Sequence, residues 1–275
     1  MSETTTTTNT IDNKSSKPAA TKKRAIKPYH KIKAHANPAA DYEFDYKAKP
    51  SEYDWSKKYP ELSSELKEGE RIKVQVADVG CGYGGLTVSL SQTLPDKVIL
   101  GMEIRAKVVE YVEGRIEKLR EDNKEKKLYR NISVIKTNSM KLMPNFFEKG
   151  QLEKIFFLFP DPHFKKANHK RRIISPTLLA EYAYIMSIGG LAYFISDVQE
   201  LYEWMFAHFK SHPLFQQIDK DLALSDPCVP LIVNSSEEAR KVNRIEGKKW
   251  YAVFKRISNP SEKIENFENY TLTNF

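Results

Sequence analysis

The sequence predicts an α/β fold: one doubly wound, mostly parallel sheet with a late antiparallel strand. Three observations carry that expectation. From about residue 70 onward, short segments rich in β-branched and aromatic residues alternate with segments of helical period, the pattern of a parallel sheet covered on both faces. Residues 74–85 read as a buried strand running directly into a glycine turn, after which apolar residues from Leu86 open a helix. The next apolar stretch, Val98-Ile99-Leu100-Gly101-Met102, ends on Glu103, 18 residues past Gly85, where sheets of this class place a carboxylate for a ribose diol.

In chain order, strands are expected at 73–79, 97–103, 131–136, 154–159 and 191–196, with two later ones at 214–219 and 250–257. Helices are expected at 86–92, 106–123, 172–187, 198–211 and 237–245. The second of these carries Val108, Tyr111, Val112 and Ile116 at helical spacing, with a charged outer face. Neither an internal repeat nor a second domain is visible. The domain is expected over 41–260, after a disordered basic tail at 1–40 and before a C-terminal extension at 261–275.

At 275 residues and 40% hydrophobic content, the chain is long enough to bury one large core. Its net charge is +8, yet residues 14–33 hold eight Lys and Arg and no acid, and without them basic and acidic residues are equal in number. The excess charge belongs to the tail, so the folded part must use local patches. The tail begins with the run Thr4 to Thr8 and lacks apolar periodicity, hence the expectation of disorder. Within it Lys22-Lys23-Arg24 reads as a nuclear import signal, as phosphate contact, or simply as solvated charge. No secretory apolar region precedes it, and the longest uncharged stretch, 182–196, is 15 residues, too short for a membrane span. Cys81 and Cys228 give neither a disulfide framework nor metal-ligand spacing. A nucleus or a reducing cytoplasm is the expected home.

A glycine loop alone is a weak signal, because many such loops are only tight turns. With the strand before it, the helix after it and Glu103, it describes a nucleoside-cofactor pocket. Nicotinamide dinucleotides and S-adenosylmethionine share this layout. No acid-base site suited to hydride transfer follows. S-adenosylmethionine, which carries no phosphate, fits better.

The fourth strand runs into Phe159-Pro160-Asp161-Pro162-His163-Phe164-Lys165-Lys166. Ligands of open α/β sheets bind at the carboxyl ends of strands, and an Asp between two prolines has little backbone freedom, so its carboxylate can be aimed. Prolines also end strands for purely structural reasons. The sequel favours function: Lys165, Lys166, Lys170, Arg171 and Arg172 form a basic cluster beside Phe164, suited to phosphates and a stacked base. A second cluster, Lys241, Arg244, Lys248 and Lys249, follows Ser236, Glu237 and Glu238, which also read as an ordinary helix cap.

Several of these segments resemble the tRNA (guanine-N7)-methyltransferases: Gly80-Cys81-Gly82-Tyr83-Gly84-Gly85, Gly101-Met102-Glu103-Ile104-Arg105, Asn138-Ser139-Met140, Leu142-Met143-Pro144-Asn145-Phe146-Phe147, the segment from Phe157 through Asp161 to Lys166, and Ser236-Glu237-Glu238-Ala239-Arg240-Lys241-Val242. The resemblance covers roughly residues 35–257 and looks like the catalytic subunit of the eukaryotic, fungal-like branch. It implies a Rossmann-like class I methyltransferase sheet and methyl transfer from S-adenosylmethionine to N7 of a guanine in the tRNA variable loop, usually called position 46, with S-adenosylhomocysteine as product. It further implies that Gly80, Gly82, Glu103 and Ile104 hold the methionine and ribose ends of the cofactor, Asn138 and Ser139 its adenine, and Leu158 its wall. Asp161 would be the catalytic or guanine-holding acid, with Ser236, Glu237 and Glu238 closing the pocket. Ser139, Ser236 and Ala239 stand where the family has Ala, Thr and Gly. A WD-repeat β-propeller partner is implied as well. Two alternatives stay open at this point. One is a noncatalytic RNA-binding scaffold of the same fold; the other is an amino-group methyltransferase, whose Asp-Pro-Pro-aromatic segment Asp161-Pro162-His163-Phe164 approaches.

Overall fold

A computed structural model describes residues 36–40 and 43–259. The basic tail expected at 1–40 lies mostly, and the extension at 261–275 wholly, outside the described residues. One sheet runs in the order β3-β2-β1-β4-β5-β7-β6. Its strands are β1 Val76–Val79, β2 Ile99–Glu103, β3 Ile132–Lys136, β4 Leu152–Leu158, β5 Met186–Ser196, β6 Phe215–Gln217 and β7 Trp250–Arg256. The first five are parallel, and β7 runs antiparallel to both neighbours, β5 and β6. The late antiparallel strand expected from the sequence is therefore β7.

Successive residues of each strand face opposite layers, so both faces must be apolar. Val76, Phe156, Tyr193 and Val253 pack into one core layer, and their neighbours Ala77, Phe157, Phe194 and Phe254 into the other. Helices α2 Gly85–Thr93, α3 Ala106–Asp122 and α8 Cys228–Asn234 cover the first layer; α4 Ser139–Phe146, α5 Pro176–Ile185 and α6 Gln199–Ser211 cover the second. Short helices α1 Pro60–Ser63, α7 Lys220–Ser225 and α9 Glu237–Arg244 complete the described α-helices.

Differences from the sequence reading have local causes. The helix expected at 172–187 begins only at Pro176, which sits in the first turn after Ser175, whose hydroxyl accepts from the Leu178 amide. It stops at Ile185 because Met186 pairs with Leu152, so β5 starts earlier than expected. Helix α4 is absent from the sequence reading, since Pro144 lies inside it; Asn138 caps it through the Met140 amide, and burial of Leu142, Met143 and Phe146 outweighs the missing hydrogen bond. Helices α7 and α8 are too short to show a period.

Strand order reverses at β1, with β2 and β3 on one side and β4 and β5 on the other. The carboxyl ends of β1 and β4 are neighbours there, which places the glycine loop beside the Asp161 segment at the switch point of the sheet.

Candidate active site

The four glycines divide into two pairs. Gly80 and Gly82 have φ of +71° and +53°; a Cβ on Gly80 would meet nothing within 4 Å, and one on Gly82 would meet only the Arg105 guanidinium, at 4.0 Å. Gly84 and Gly85 have no such room: a Cβ would stand 2.9 Å from Val112 Cγ1 in the first case and 2.5 Å from the Ser235 carbonyl oxygen in the second. The first pair leaves open space for a ligand. The second pair lets α2 pack against α3 and against the turn before α9.

Around this cradle the strands deliver acids. Glu103, at the end of β2, is 4% exposed; its Oε1 accepts from the Arg105 amide and Nε at 2.9 and 3.0 Å, and its Oε2 from Arg105 Nη2 at 2.9 Å. A ribose diol reaching Glu103 therefore competes with the Arg105 guanidinium. Asp78, buried in β1, accepts a 2.7 Å hydrogen bond from Thr87 on α2. Burial pushes its carboxyl up to about 7 against the pull of the Thr87 bond, and the charges of Glu237 and Glu103 add to the rise. Asp78 and Glu103 at this sheet edge, with Glu237 nearby on α9, suit a ligand carrying positive charge, as the sulfonium and ammonium groups of S-adenosylmethionine do, and the residues present fit that cofactor. At the end of β3, buried Asn138 donates to the Pro38 carbonyl at 2.6 Å, and buried Ser139 opens α4. Ile104 is half-buried beside Glu103.

Helix α9 closes onto the glycine loop. Ser236 caps it, accepting from the Ala239 amide at 3.0 Å, and buried Ala239 is accommodated where the family has Gly. Glu237 reaches across: Oε2 accepts from the Gly85 amide at 3.2 Å and Oε1 from Arg115 Nη1 at 3.0 Å, while that same nitrogen donates to the Tyr83 carbonyl at 2.7 Å. Glu237 is thus more than a first-turn acid. Glu238, expected to close the pocket with it, instead lies on the outer face of α9, 58% exposed and paired with Lys241 at 3.3 Å, about 100° around the helix from Glu237.

Half-buried Leu158 ends β4 and leads into the Asp161 segment. Phe159 and His163 bracket it with φ of +47° and +46°, a left-handed conformation costly for residues with a Cβ. The Phe159 amide donates to the Ile195 carbonyl at 2.9 Å, and the His163 amide to Asp161 Oδ1 at 3.1 Å. Beyond it, Lys165, Lys166 and Lys170 are exposed, Phe164 is 69% exposed, and Arg171 is half-buried. Arg172 corrects the sequence reading. It is 2% exposed, with its guanidinium bonded to Glu200 and the Pro162 carbonyl and lying 4.7 Å over the Trp204 ring, so it is no phosphate contact. Lys249 is likewise engaged within the fold, donating to the Val233 carbonyl at 2.6 Å.

Residues 72–252 match the protein family described as "Putative methyltransferase". A Dictyostelium discoideum tRNA (guanine-N(7)-)-methyltransferase is 66% identical over 252 residues, covering 92% of this chain and 88% of that protein. Proteins of the same description from Yarrowia lipolytica and Xenopus laevis are 52% and 50% identical, each over 85% of this chain and over 78% and 89% of their own lengths. The chain belongs to the tRNA (guanine-N7)-methyltransferase family.

Sequence reasoning about this family member overlooked three side chains that shape the site: Asp78, Arg105 and Arg115. Asp78 carried a signal, an acid two residues before the first glycine at a strand end. The two arginines carried none, because a charged residue on an amphipathic helix or after a strand looks the same whether it meets water or a loop. Among the described residues no group of three or more His, Cys, Asp or Glu is placed to hold a metal ion, and no helix is long and apolar enough to cross a membrane.

Proposed function

We propose that this chain is the catalytic subunit of a tRNA (guanine-N7)-methyltransferase that acts on a guanine of the variable loop, at position 46, with S-adenosylmethionine as methyl donor. The observation that carries this reading is the meeting, at one switch point, of the glycine cradle with the Asp161 segment in a chain 66% identical to a protein of that description. When bound, S-adenosylmethionine supplies an electrophilic methyl group on a sulfonium centre. Gly80, Gly82, Glu103, Ile104, Asn138, Ser139 and Leu158 would hold it, with Ser236 and Glu237 fixing the far wall.

The rest is the work of the chain's own groups on the nucleotide. N7 of guanine is an unprotonated lone pair at neutral pH, so no base is needed before attack, and positioning dominates. As positive charge develops on the purine, its N1 and N2 hydrogens become stronger donors. A carboxylate accepting them, that of Asp161, binds the transition state more tightly than the ground state. A stacked guanine must first be extruded, at a cost of a few kcal/mol. Lys165, Lys166, Lys170 and Arg171 offset that cost through phosphate contacts, and exposed Phe164 offers a stacking surface.

Nucleoside mass spectrometry after reaction with bulk tRNA tests the assignment, with 7-methylguanosine as the expected product. A methylated exocyclic amine would move the chain to the amino-group enzymes, and RNA binding without methyl transfer would make it a scaffold. The family resemblance supports a WD-repeat β-propeller partner, to be sought by copurification with the tagged chain. Lys22-Lys23-Arg24 supports nuclear residence. Imaging a variant with alanine at those three positions checks it, and unchanged nuclear signal assigns import elsewhere.

A further inference from the structure

Arg172 is a costly side chain with which to fill a core position. Its guanidinium is buried, yet Nη1 finds no hydrogen-bond partner among the described residues, so one of its donors is left unsatisfied. Burying a charge with incomplete pairing opposes folding, and an apolar side chain of similar volume is frequently as good or better for stability. A purely structural role therefore explains Arg172 poorly.

Its other contacts converge on the segment that carries Asp161. Nε donates 2.9 Å to the carbonyl of Pro162, the residue directly after Asp161, and Nη2 donates 2.7 Å to Glu200 in the first turn of α6. The guanidinium lies over Trp204, itself fixed by a 2.9 Å bond from Nε1 to the Ile174 carbonyl and stacked on His208 with ring centroids 4.3 Å apart. The Asp161 segment is thus tied down at both ends: Phe159 holds its start against β5, and Arg172 holds Pro162 against α6. Between these ties two prolines fix their own φ, and left-handed Phe159 and His163 store strain that would relax if either tie were broken.

We propose that Arg172 is a positioning residue for the methyl transfer: by clamping the Pro162 carbonyl to Glu200 it holds the Asp161 carboxylate at the angle the guanine edge requires. It touches neither tRNA nor cofactor. The inference rests on the role given to Asp161, and its consequences separate from it. Arg172→Met preserves volume and removes the clamp. It is expected to bind tRNA with unchanged affinity and salt slope, to keep both KM values within about twofold, and to lower kcat about 10- to 100-fold, the penalty that slight misplacement of a reacting group carries. Arg172→Lys, which retains one donor for the carbonyl, is expected to recover most of that rate. On an Asp161→Ala background Arg172→Met should cost little more, because the two act as a unit.

Measurements use the full chain with its partner, full-length tRNA and single-turnover conditions. A normal rate for Arg172→Met beside a slow Asp161→Ala overturns the clamp and leaves Asp161 standing. A normal rate for Asp161→Ala removes the acid itself. Fully additive losses, or a salt slope reduced by about one, make Arg172 an independent structural group or a phosphate contact and also overturn the proposal. Should Arg172→Met not fold, Glu200→Gln, at a 58% exposed side chain, weakens the same clamp from its far end; a kcat lowered severalfold at constant KM is expected, and an unchanged kcat rejects the clamp.

Discussion

Two carboxylates of the site have opposite environments. Asp161 is 32% exposed in a turn bracketed by left-handed Phe159 and His163. Asp161→Ala is expected to slow single-turnover methylation by roughly a hundredfold or more while S-adenosylhomocysteine binding, followed by calorimetry, stays nearly unchanged. Asp78 is sealed in β1 and held up to about 7 by burial, against an ordinary value of 3.8. Between those two values the unfolded chain has released this proton while the folded chain keeps it. The contribution to stability therefore falls as pH rises and becomes a constant penalty above about 7. Asp78→Asn keeps an acceptor for Thr87 and removes the titration. In cofactor-free protein its melting temperature should gain on the parent chain between pH 5 and 8, by the equivalent of about 3 kcal/mol at most. A difference that is flat with pH would return the Asp78 carboxyl to the ordinary range.

At the scale of elements, the site is made by short connections meeting at one edge. α9 reaches the glycine loop through Glu237 and Arg115, so the helix next to one basic cluster is mechanically joined to the cofactor cradle. The 3₁₀ turn Lys166–Arg171 presents the other cluster while its successor, Arg172, turns inward. Reversing the charge of Lys165, Lys166 and Lys170 together should weaken tRNA binding and flatten its dependence on salt, by about one unit of slope for each phosphate no longer neutralised. An unaltered slope would assign these lysines to solvent. The sequence named this cluster correctly as basic and adjacent to Asp161, but it offered no means to tell Arg171 from Arg172, which differ in burial and not in type.

At the scale of the molecule, the layer under α4, α5 and α6 holds an aromatic stack of Phe194, Phe209 and Phe254, with centroids 5.0 to 5.9 Å apart. The glycine cradle lies at the edge of this body, where a Cβ on Gly80 or Gly82 would meet no backbone. Ligand binding to the folded state alone should then add stability by mass action: S-adenosylhomocysteine at a hundredfold excess over its Kd contributes about 2.7 kcal/mol, a melting shift of roughly 5 to 10 °C by calorimetry. Glu103→Ala should abolish most of that shift. An undiminished shift would place the cofactor elsewhere.

The sequence by itself determined the layered α/β fold, the parallel strands around the glycine loop and the segments that hold chemistry, because period, glycine placement and proline flanks are local properties written in consecutive residues. It also placed Gly80 directly after β1, Glu103 at the end of β2 and Asp161 just beyond β4. The tertiary structure decided the rest: that Glu238 faces outward and Glu237 inward, that Arg105 occupies the Glu103 carboxylate, and that Arg172 lies beneath Pro162. Those outcomes depend on side-chain rotamers and on which elements pack together, as Glu237 does with Gly85 across 152 residues, and side chains of the same charge on the same helix carry no mark of it until the chain has packed.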